Sequence, residues 1–113
     1  MRLTSQVIIS SDIDDTVSKL EALKQNERFV KIIKEDTFLV EDAKLAIEKA
    51  YMASEETTII LLGAKTFSPV VQNKLLKVIE EPPPKKEFIL ITPSKATILD
   101  TIRSRLPIMV LSQ

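Results

Sequence analysis

The sequence predicts an α/β fold, a three-layer αβα sandwich built around a five-stranded parallel sheet. Five short apolar runs alternate with four helical patterns over 113 residues. The runs are rich in β-branched residues and lack polar alternation, which is typical of strands that are buried on both faces. Regular alternation of strand and helix favours crossover connections that cover both faces of the sheet. We therefore expect one domain, residues 1–113, with no linker and no internal repeat.

The elements follow one another in a simple order. Five strands are predicted at 7–9, 29–33, 58–62, 88–91 and 108–111. The first helix has an apolar stripe of Ile13, Val17 and Leu20, and the second has one of Val40, Ala43, Ile47, Ala50 and Tyr51. Spacing of three and four residues places each stripe on one helical face. A third helix is predicted at 69–80, and a short fourth helix at 94–104.

The third helix has the clearest boundaries. Ser68 supplies a hydroxyl N-cap, and Pro69 occupies the first helical position, where a missing N–H costs nothing. Prolines after Glu81 end the helix. Its apolar face contains four residues, Val71, Leu75, Val78 and Ile79. We expect Gln72, Lys74 and Lys77 to lie on another face.

The same helix carries the most informative motif, NKLLKVIEEPP at 73–83, which is followed by a buried strand and by Ser104-Arg105-Leu106. This order resembles the first domain of bacterial DNA polymerase III clamp-loader subunits, whose central helix reads N-x-LLK-x-x-EEPP and whose arginine-finger motif reads Ser-Arg-Cys. The resemblance covers about residues 57–110 and implies an AAA+ core, related to the P-loop NTPases. Leucine stands at 106 where the family usually has cysteine, which removes a thiol and leaves the arginine.

Both halves of a nucleotide site are missing from the sequence. Clamp-loader ATPases hold phosphate on a glycine-rich loop after the first strand, since backbone N–H groups approach phosphate closely only where side chains do not intrude. Here that place has Asp12, Asp14 and Asp15, whose charges satisfy the helix dipole and repel a nucleotide. The third strand of an ATPase ends in an Asp-Glu pair, but the matching positions here are Leu62 and Gly63.

Within the resembled family, these degenerate Walker motifs imply the delta-prime subunit, which does not hydrolyse ATP. The resemblance then implies that Arg105 acts as an arginine finger in trans, and that Arg103, Ser104 and Arg105 contact a partner. The implied partners are the clamp-loader ATPase subunits and the delta subunit, with primed DNA and the sliding clamp reached through the complex. No cofactor and no metal are expected, and the family's lid and collar domains are expected to be absent from this chain. Thr92 matches the family's sensor position, where we expect a structural role.

Composition excludes several classes of protein. The chain is 44% apolar and 28% charged, and it has neither cysteine nor histidine. Disulfides, thiolate zinc sites and Cys or His nucleophile–base pairs are therefore excluded. A chain without thiols suits the cytoplasm, where we expect the protein. No apolar run approaches ~20 residues, so we expect no membrane-spanning segment and no membrane partner. Residues 57–113 have eight basic and four acidic side chains, against eight and twelve in residues 1–56. The finger-bearing half is thus the cationic one, although solvated surface lysines explain this equally well.

Two alternatives remain open from the sequence. The segment 12–17, DIDDTV, resembles the first motif of haloacid-dehalogenase-like phosphatases, D-x-D-x-T after a buried strand. Such an enzyme would use the first aspartate as a nucleophile beside magnesium. Against it, Asp100 is the only carboxylate after Thr92, so the final acidic pair is missing, and an acidic helix start explains the motif. The other alternative is the delta subunit, which opens the sliding clamp; the arginine motif argues against it. Glu80 and Glu81 resemble a metal or acid pair, but we expect them to be structural or partner-facing.

Overall fold

The apolar runs form one parallel sheet, as predicted. The computed structural model describes residues 1–111; Ser112 and Gln113, the last two residues of the predicted domain, lie outside the described residues. The strands are β1 (Gln6–Ile9), β2 (Arg28–Ile33), β3 (Thr37–Phe38), β4 (Thr58–Gly63), β5 (Thr66–Phe67), β6 (Lys86–Thr92) and β7 (Ile108–Val110). Five of them pair in the order β2-β4-β6-β1-β7, and every pairing is parallel. The predicted α/β fold with a five-stranded parallel sheet is therefore confirmed.

A second, two-stranded sheet was not predicted. It consists of β3 and β5, which are also parallel and only two residues long each. The rings of Phe38 and Phe67 stack across it, with their centroids 4.9 Å apart, and both are buried. Two residues are too few for an alternating pattern, so the sequence has no periodic signal at these positions.

Helices cover both faces of the main sheet and make the three layers. They are α1 (Ile13–Glu21), α2 (Val40–Ala50), α3 (Pro69–Glu80) and α4 (Asp100–Arg103), with a 3₁₀ turn at Lys95–Thr97. Buried side chains of α2, α3 and α4 form one core with one face of the sheet. Val17 and Leu20 of α1 form the smaller core on the other face. The first helix thus covers one face alone, and three helices share the other.

The predicted apolar stripes are mostly buried. Val17 and Leu20 are buried in the first stripe, and Ala43 and Ala50 in the second. Tyr51 is an exception, because α2 ends at the preceding residue and the side chain is 60% exposed. A residue that caps a helix no longer follows the helical face, which is why the periodicity failed there.

The third helix begins and ends as predicted, but one of its faces was assigned wrongly. Ser68 Oγ accepts a hydrogen bond from the Val71 backbone N–H at 3.2 Å, and the four predicted apolar residues are buried. Gln72, expected on a polar face, is completely buried. Its amide donates to the carbonyl oxygens of Phe67 and Thr97 and accepts from the Leu99 N–H at 2.8 Å. These three bonds offset the cost of burying the amide.

Gln72 also explains why the predicted fourth helix is broken. Instead of one helix over 94–104, the chain forms the 3₁₀ turn and then the single turn of α4. Leu99 between them is extended, with φ −65° and ψ 149°. The Thr97 carbonyl and the Leu99 N–H, which a continuous helix would pair internally, bond to Gln72 instead. A tertiary contact has replaced the helical one.

Candidate functional site

A cleft lies at the carboxyl ends of the strands, where open parallel sheets usually bind ligands. Its volume is about 830 Å³. It is lined by Ser11, Asp12, Ile13, Asp14, Ile33, Lys34, Glu35, Lys65 and Pro93. Three of these residues are acidic and two are basic. Glycine is absent from the lining, so the cleft lacks the close backbone approach on which a phosphate loop depends.

The acidic residues after β1 cap a helix, as predicted. Asp12 is the N-cap of α1, and its carboxylate accepts a hydrogen bond from the Asp15 N–H at 3.0 Å. Asp14 and Asp15 lie in the first helical turn, where carboxylates interact favourably with the helix dipole. Asp15 also forms an ion pair with Lys19 at 3.0 Å. The helix end that would hold a phosphate is thus occupied by negative side chains of its own.

The end of β4 is packed against side chains rather than open to a ligand. Leu62 is fully buried, and Gly63 is buried as well. A Cβ atom added at Gly63 would lie 2.9 Å from Ile13 Cγ2 and 3.0 Å from Ile33 Cδ1. Thr92, at the end of the neighbouring β6, is buried, and its hydroxyl donates to the Lys65 carbonyl at 3.2 Å. In an ATPase these strand ends carry metal-binding and sensor residues. In this chain Gly63 packs against side chains, and Thr92 forms a hydrogen bond within the domain.

The phosphatase alternative finds no support in the arrangement of acidic side chains. Within residues 1–111, no three His, Cys, Asp or Glu side chains are grouped closely enough to hold a metal ion. Asp12, the nucleophile of that alternative, is engaged in the cap instead.

A substitution at Asp12 separates the two roles. Asp12→Asn keeps an oxygen acceptor for the Asp15 N–H, so the free energy of unfolding should fall by no more than ~1 kcal/mol in urea denaturation, and less than in Asp12→Ala. No magnesium-dependent hydrolysis of a simple phosphate monoester is expected from the unmodified protein. If such hydrolysis were found and Asp12→Asn abolished it, the cap assignment would be wrong as an account of this residue.

The second part of the site is the turn between α4 and β7, which carries Arg105. Ile102 and Leu106 on either side are buried, and the Leu106 N–H bonds to the Ile102 carbonyl at 2.9 Å. Leucine at 106 therefore anchors the turn in the core, in the place where the resembled family has cysteine. Between these two anchors the side chain of Arg105 is 49% exposed. The turn is thus fixed while its arginine points outward.

Arg105 lies at the amino ends of the sheet strands, whereas the cleft lies at their carboxyl ends. The turn leads into β7, whose first residue, Ile108, pairs with Val7 at the start of β1. The cleft follows the last residues of β1 and β2. Strands rise about 3.3 Å per residue, so a four-residue strand is roughly 13 Å long. This length separates the two ends. The arginine cannot serve a ligand in the cleft of its own domain.

Glu80 also lies at the amino ends of the strands, because α3 ends there and β6 begins a few residues later. Its Oε1 lies 3.3 Å from Nη2 of Arg105, and its side chain is 32% exposed. Glu80 was expected to be structural or partner-facing, and its pairing with the arginine was not predicted. The two residues are twenty-five positions apart on different elements, so no local spacing signals their contact.

The other two predicted partner-binding residues lie beside Arg105. Arg103 forms an ion pair with Asp100 at 3.8 Å. The Ser104 hydroxyl donates to the Thr101 carbonyl at 3.0 Å, and the residue is exposed. All three predicted residues therefore lie together on the exposed end of α4 and the turn that follows it. Whether they contact a partner stays a prediction.

A family model described as "DNA polymerase III, delta subunit" matches residues 9–113. No curated protein matches the chain. None of the helices within residues 1–111 is long and apolar enough to cross a membrane.

Among solved structures, the fold is similar to that of a DNA polymerase III gamma subunit-related protein from Thermotoga maritima. The TM-score is 0.73 at 20% sequence identity, and the match covers 97% of this chain and 41% of the other. At this identity the likeness supports the fold alone. The chain spans about two fifths of the length of that relative.

Proposed function

Because the chain belongs to the DNA polymerase III delta subunit family, we propose that it is the AAA+ domain of a delta-prime clamp-loader subunit. In this proposal the domain neither binds nor hydrolyses ATP. It packs against a neighbouring ATPase subunit and supplies Arg105 to that subunit's bound nucleotide. The delta subunit is a further partner, and the sliding clamp and primed DNA are reached through the assembled loader. The lid and collar domains would belong to the complete subunit.

The position of Arg105 is the observation that supports this function most strongly. The arginine is half exposed on an anchored turn at the amino ends of the strands, and the cleft of its own domain lies at the carboxyl ends. Of the roles open to such a side chain, action on a neighbouring molecule fits this position. The proposal requires an assembly in which the amino ends of the strands in this domain face the carboxyl ends of the strands in the ATPase neighbour.

The chemistry is electrostatic. During hydrolysis negative charge is spread over the oxygens of the transferred γ-phosphoryl group, and a fixed positive charge stabilises that transition state. A guanidinium suits this task because it stays charged at every physiological pH and offers five N–H donors in a rigid fork. The water, the magnesium ion and the activating carboxylate would all come from the neighbour.

The lack of nucleotide binding is supported by the cleft. Asp12 and Asp14 stand at the helix end where phosphate would bind, and Ile13 and Ile33 close on Gly63 where magnesium carboxylates would project. Like charges and filled space both oppose a nucleotide.

Calorimetric titration tests this part of the proposal. Mg-ATP titrated into the purified protein should give no saturable heat, whereas the loader's ATPase subunit, titrated in the same buffer, should give a clear isotherm. A micromolar dissociation constant for this protein would contradict the proposal.

The delta subunit is the second candidate, because the matching family model is described by that name. A delta subunit opens the clamp by binding it directly and has no need of a finger. Binding of the isolated subunit to the sliding clamp in the absence of the ATPase subunits would favour this candidate. We expect no such binding for a delta-prime subunit.

A further inference from the structure

We propose that Glu80 is a positioning residue that holds the guanidinium of Arg105 in the orientation required at the neighbour's active site. The inference rests on the proposed finger role of Arg105. It assigns a task to the first glutamate of the EEPP segment, which the motif itself does not explain.

One helix holds both ends of the arginine-bearing segment. Near the start of α3, Gln72 bonds to Thr97 and Leu99, just before α4. At the end of the same helix, Glu80 contacts Arg105, just after α4. Eight residues of helix, about 12 Å, separate the two anchors. Because α3 is a single rigid rod, it fixes both the backbone of the segment and the direction of its arginine.

The contact holds the arginine without using up its donors. The ion pair joins Nη2 of Arg105 to Oε1 of Glu80 at 3.3 Å, and the arginine side chain stays 49% exposed. A guanidinium has five N–H donors, so the face directed away from Glu80 can still donate to phosphate oxygens. A bidentate pair in a buried site would have masked the arginine, but a single contact at a half-exposed site restrains it.

The position of Glu80 has no local advantage that would explain it otherwise. It is the last residue of α3, and Glu81 follows as the C-cap. A carboxylate at a helix C-terminus is repelled by the helix dipole, so two in a row are unfavourable there. The positive charge of Arg105 offsets this repulsion. The pair therefore satisfies Glu80 and also restricts the many rotamers of a free arginine side chain.

The experiment uses the complete subunit reconstituted in its loader. Four proteins are compared for ATP hydrolysis stimulated by clamp and primed DNA, namely Glu80→Ala, Glu80→Gln, Glu81→Ala and Arg105→Ala. Glu80→Ala should slow hydrolysis at the neighbouring subunit's site, by no more than the ~100-fold that a 1 Å misplacement of a reacting group can cost. Total hydrolysis should fall less, because the other ATP sites are unchanged. KM for ATP should not change. Glu80→Gln keeps an oxygen acceptor for Nη2 and should recover part of the rate. Glu81→Ala, which removes the adjacent exposed carboxylate, should match the unmodified loader.

A double substitution separates positioning from general stability. If Glu80 acts only through Arg105, then Glu80→Ala with Arg105→Ala should be no slower than Arg105→Ala alone. Additive losses would overturn the inference, and so would a Glu80→Ala loader that matches Glu81→Ala while Arg105→Ala is slow. A rise in kcat for Glu80→Ala would also overturn it, since Glu80 would then mask the arginine. If Arg105→Ala is itself fully active, the proposed function fails, not the positioning step alone.

Discussion

Arg105→Ala should slow ATP hydrolysis at the neighbouring subunit's site by ~10³-fold or more, the lower end of what arginine fingers contribute where they are best measured. Total hydrolysis by the loader should fall less, because the other ATP sites keep their own arginines. Clamp loading should fall with hydrolysis. Assembly should survive, because the turn is anchored by Ile102 and Leu106 and not by the exposed arginine. ATP hydrolysis stimulated by clamp and primed DNA measures the loss of activity, and gel filtration of the loader measures assembly.

Two matched variants test whether the loss is specific to the guanidinium. Lys74→Ala removes one positive charge from the exposed side of α3 and should leave turnover unchanged. Arg105→Lys keeps the charge but loses the planar fork, so its activity should be intermediate. Unchanged clamp loading by an intact Arg105→Ala loader would show that Arg105 is only a surface charge.

Gly63→Asp should destabilise the protein by about 3–5 kcal/mol, the cost of leaving a buried charge without a partner. This change restores an acidic residue where an ATPase would have one. The new Cβ would lie 2.9 Å from Ile13 Cγ2, and the carboxylate would enter the closed contact between α1 and β2. Urea denaturation measures the loss. The result would mean that a single substitution cannot rebuild the magnesium site.

Gly63→Ala is the control that separates crowding from charge. It adds only the Cβ, so we expect a loss of about 1–3 kcal/mol, which is typical of overpacking. Equal stability of the aspartate variant and the unmodified protein would show that the end of β4 is open to polar groups. That outcome would weaken the argument against a nucleotide site.

The sheet could be predicted from the sequence because its signals are local. Runs such as 59–62, which is entirely isoleucine and leucine, have no polar position to face water. Ser68-Pro69 and the prolines after Glu81 mark both ends of α3. What the sequence could not predict depends on distant partners. Gln72 has the spacing of a polar face, yet it is buried because Phe67, Thr97 and Leu99 satisfy its amide.

The candidate site divides in the same way. The acidic cap at Asp12 is local, and its geometry agrees with the sequence. Arg105 was found through the resemblance of an ordered set of motifs, since an isolated arginine at a helix end has no signal of its own. Its contact with Glu80 could not be predicted from the sequence, because α3 and the turn after α4 meet only in the folded chain, at the amino ends of the strands.

The most direct test of the account is the affinity of the neighbour's site for a transition-state mimic. A complex of this subunit with its ATPase neighbour would be titrated with Mg-ADP alone and with Mg-ADP plus aluminium fluoride, with Arg105 intact and with Arg105→Ala. An interaction made chiefly in the transition state should strengthen binding of the mimic and not binding of Mg-ADP alone. We therefore predict that Arg105→Ala weakens the mimic about 100-fold or more and changes ADP affinity little. Equal affinities of the two proteins for the mimic would contradict a finger supplied in trans.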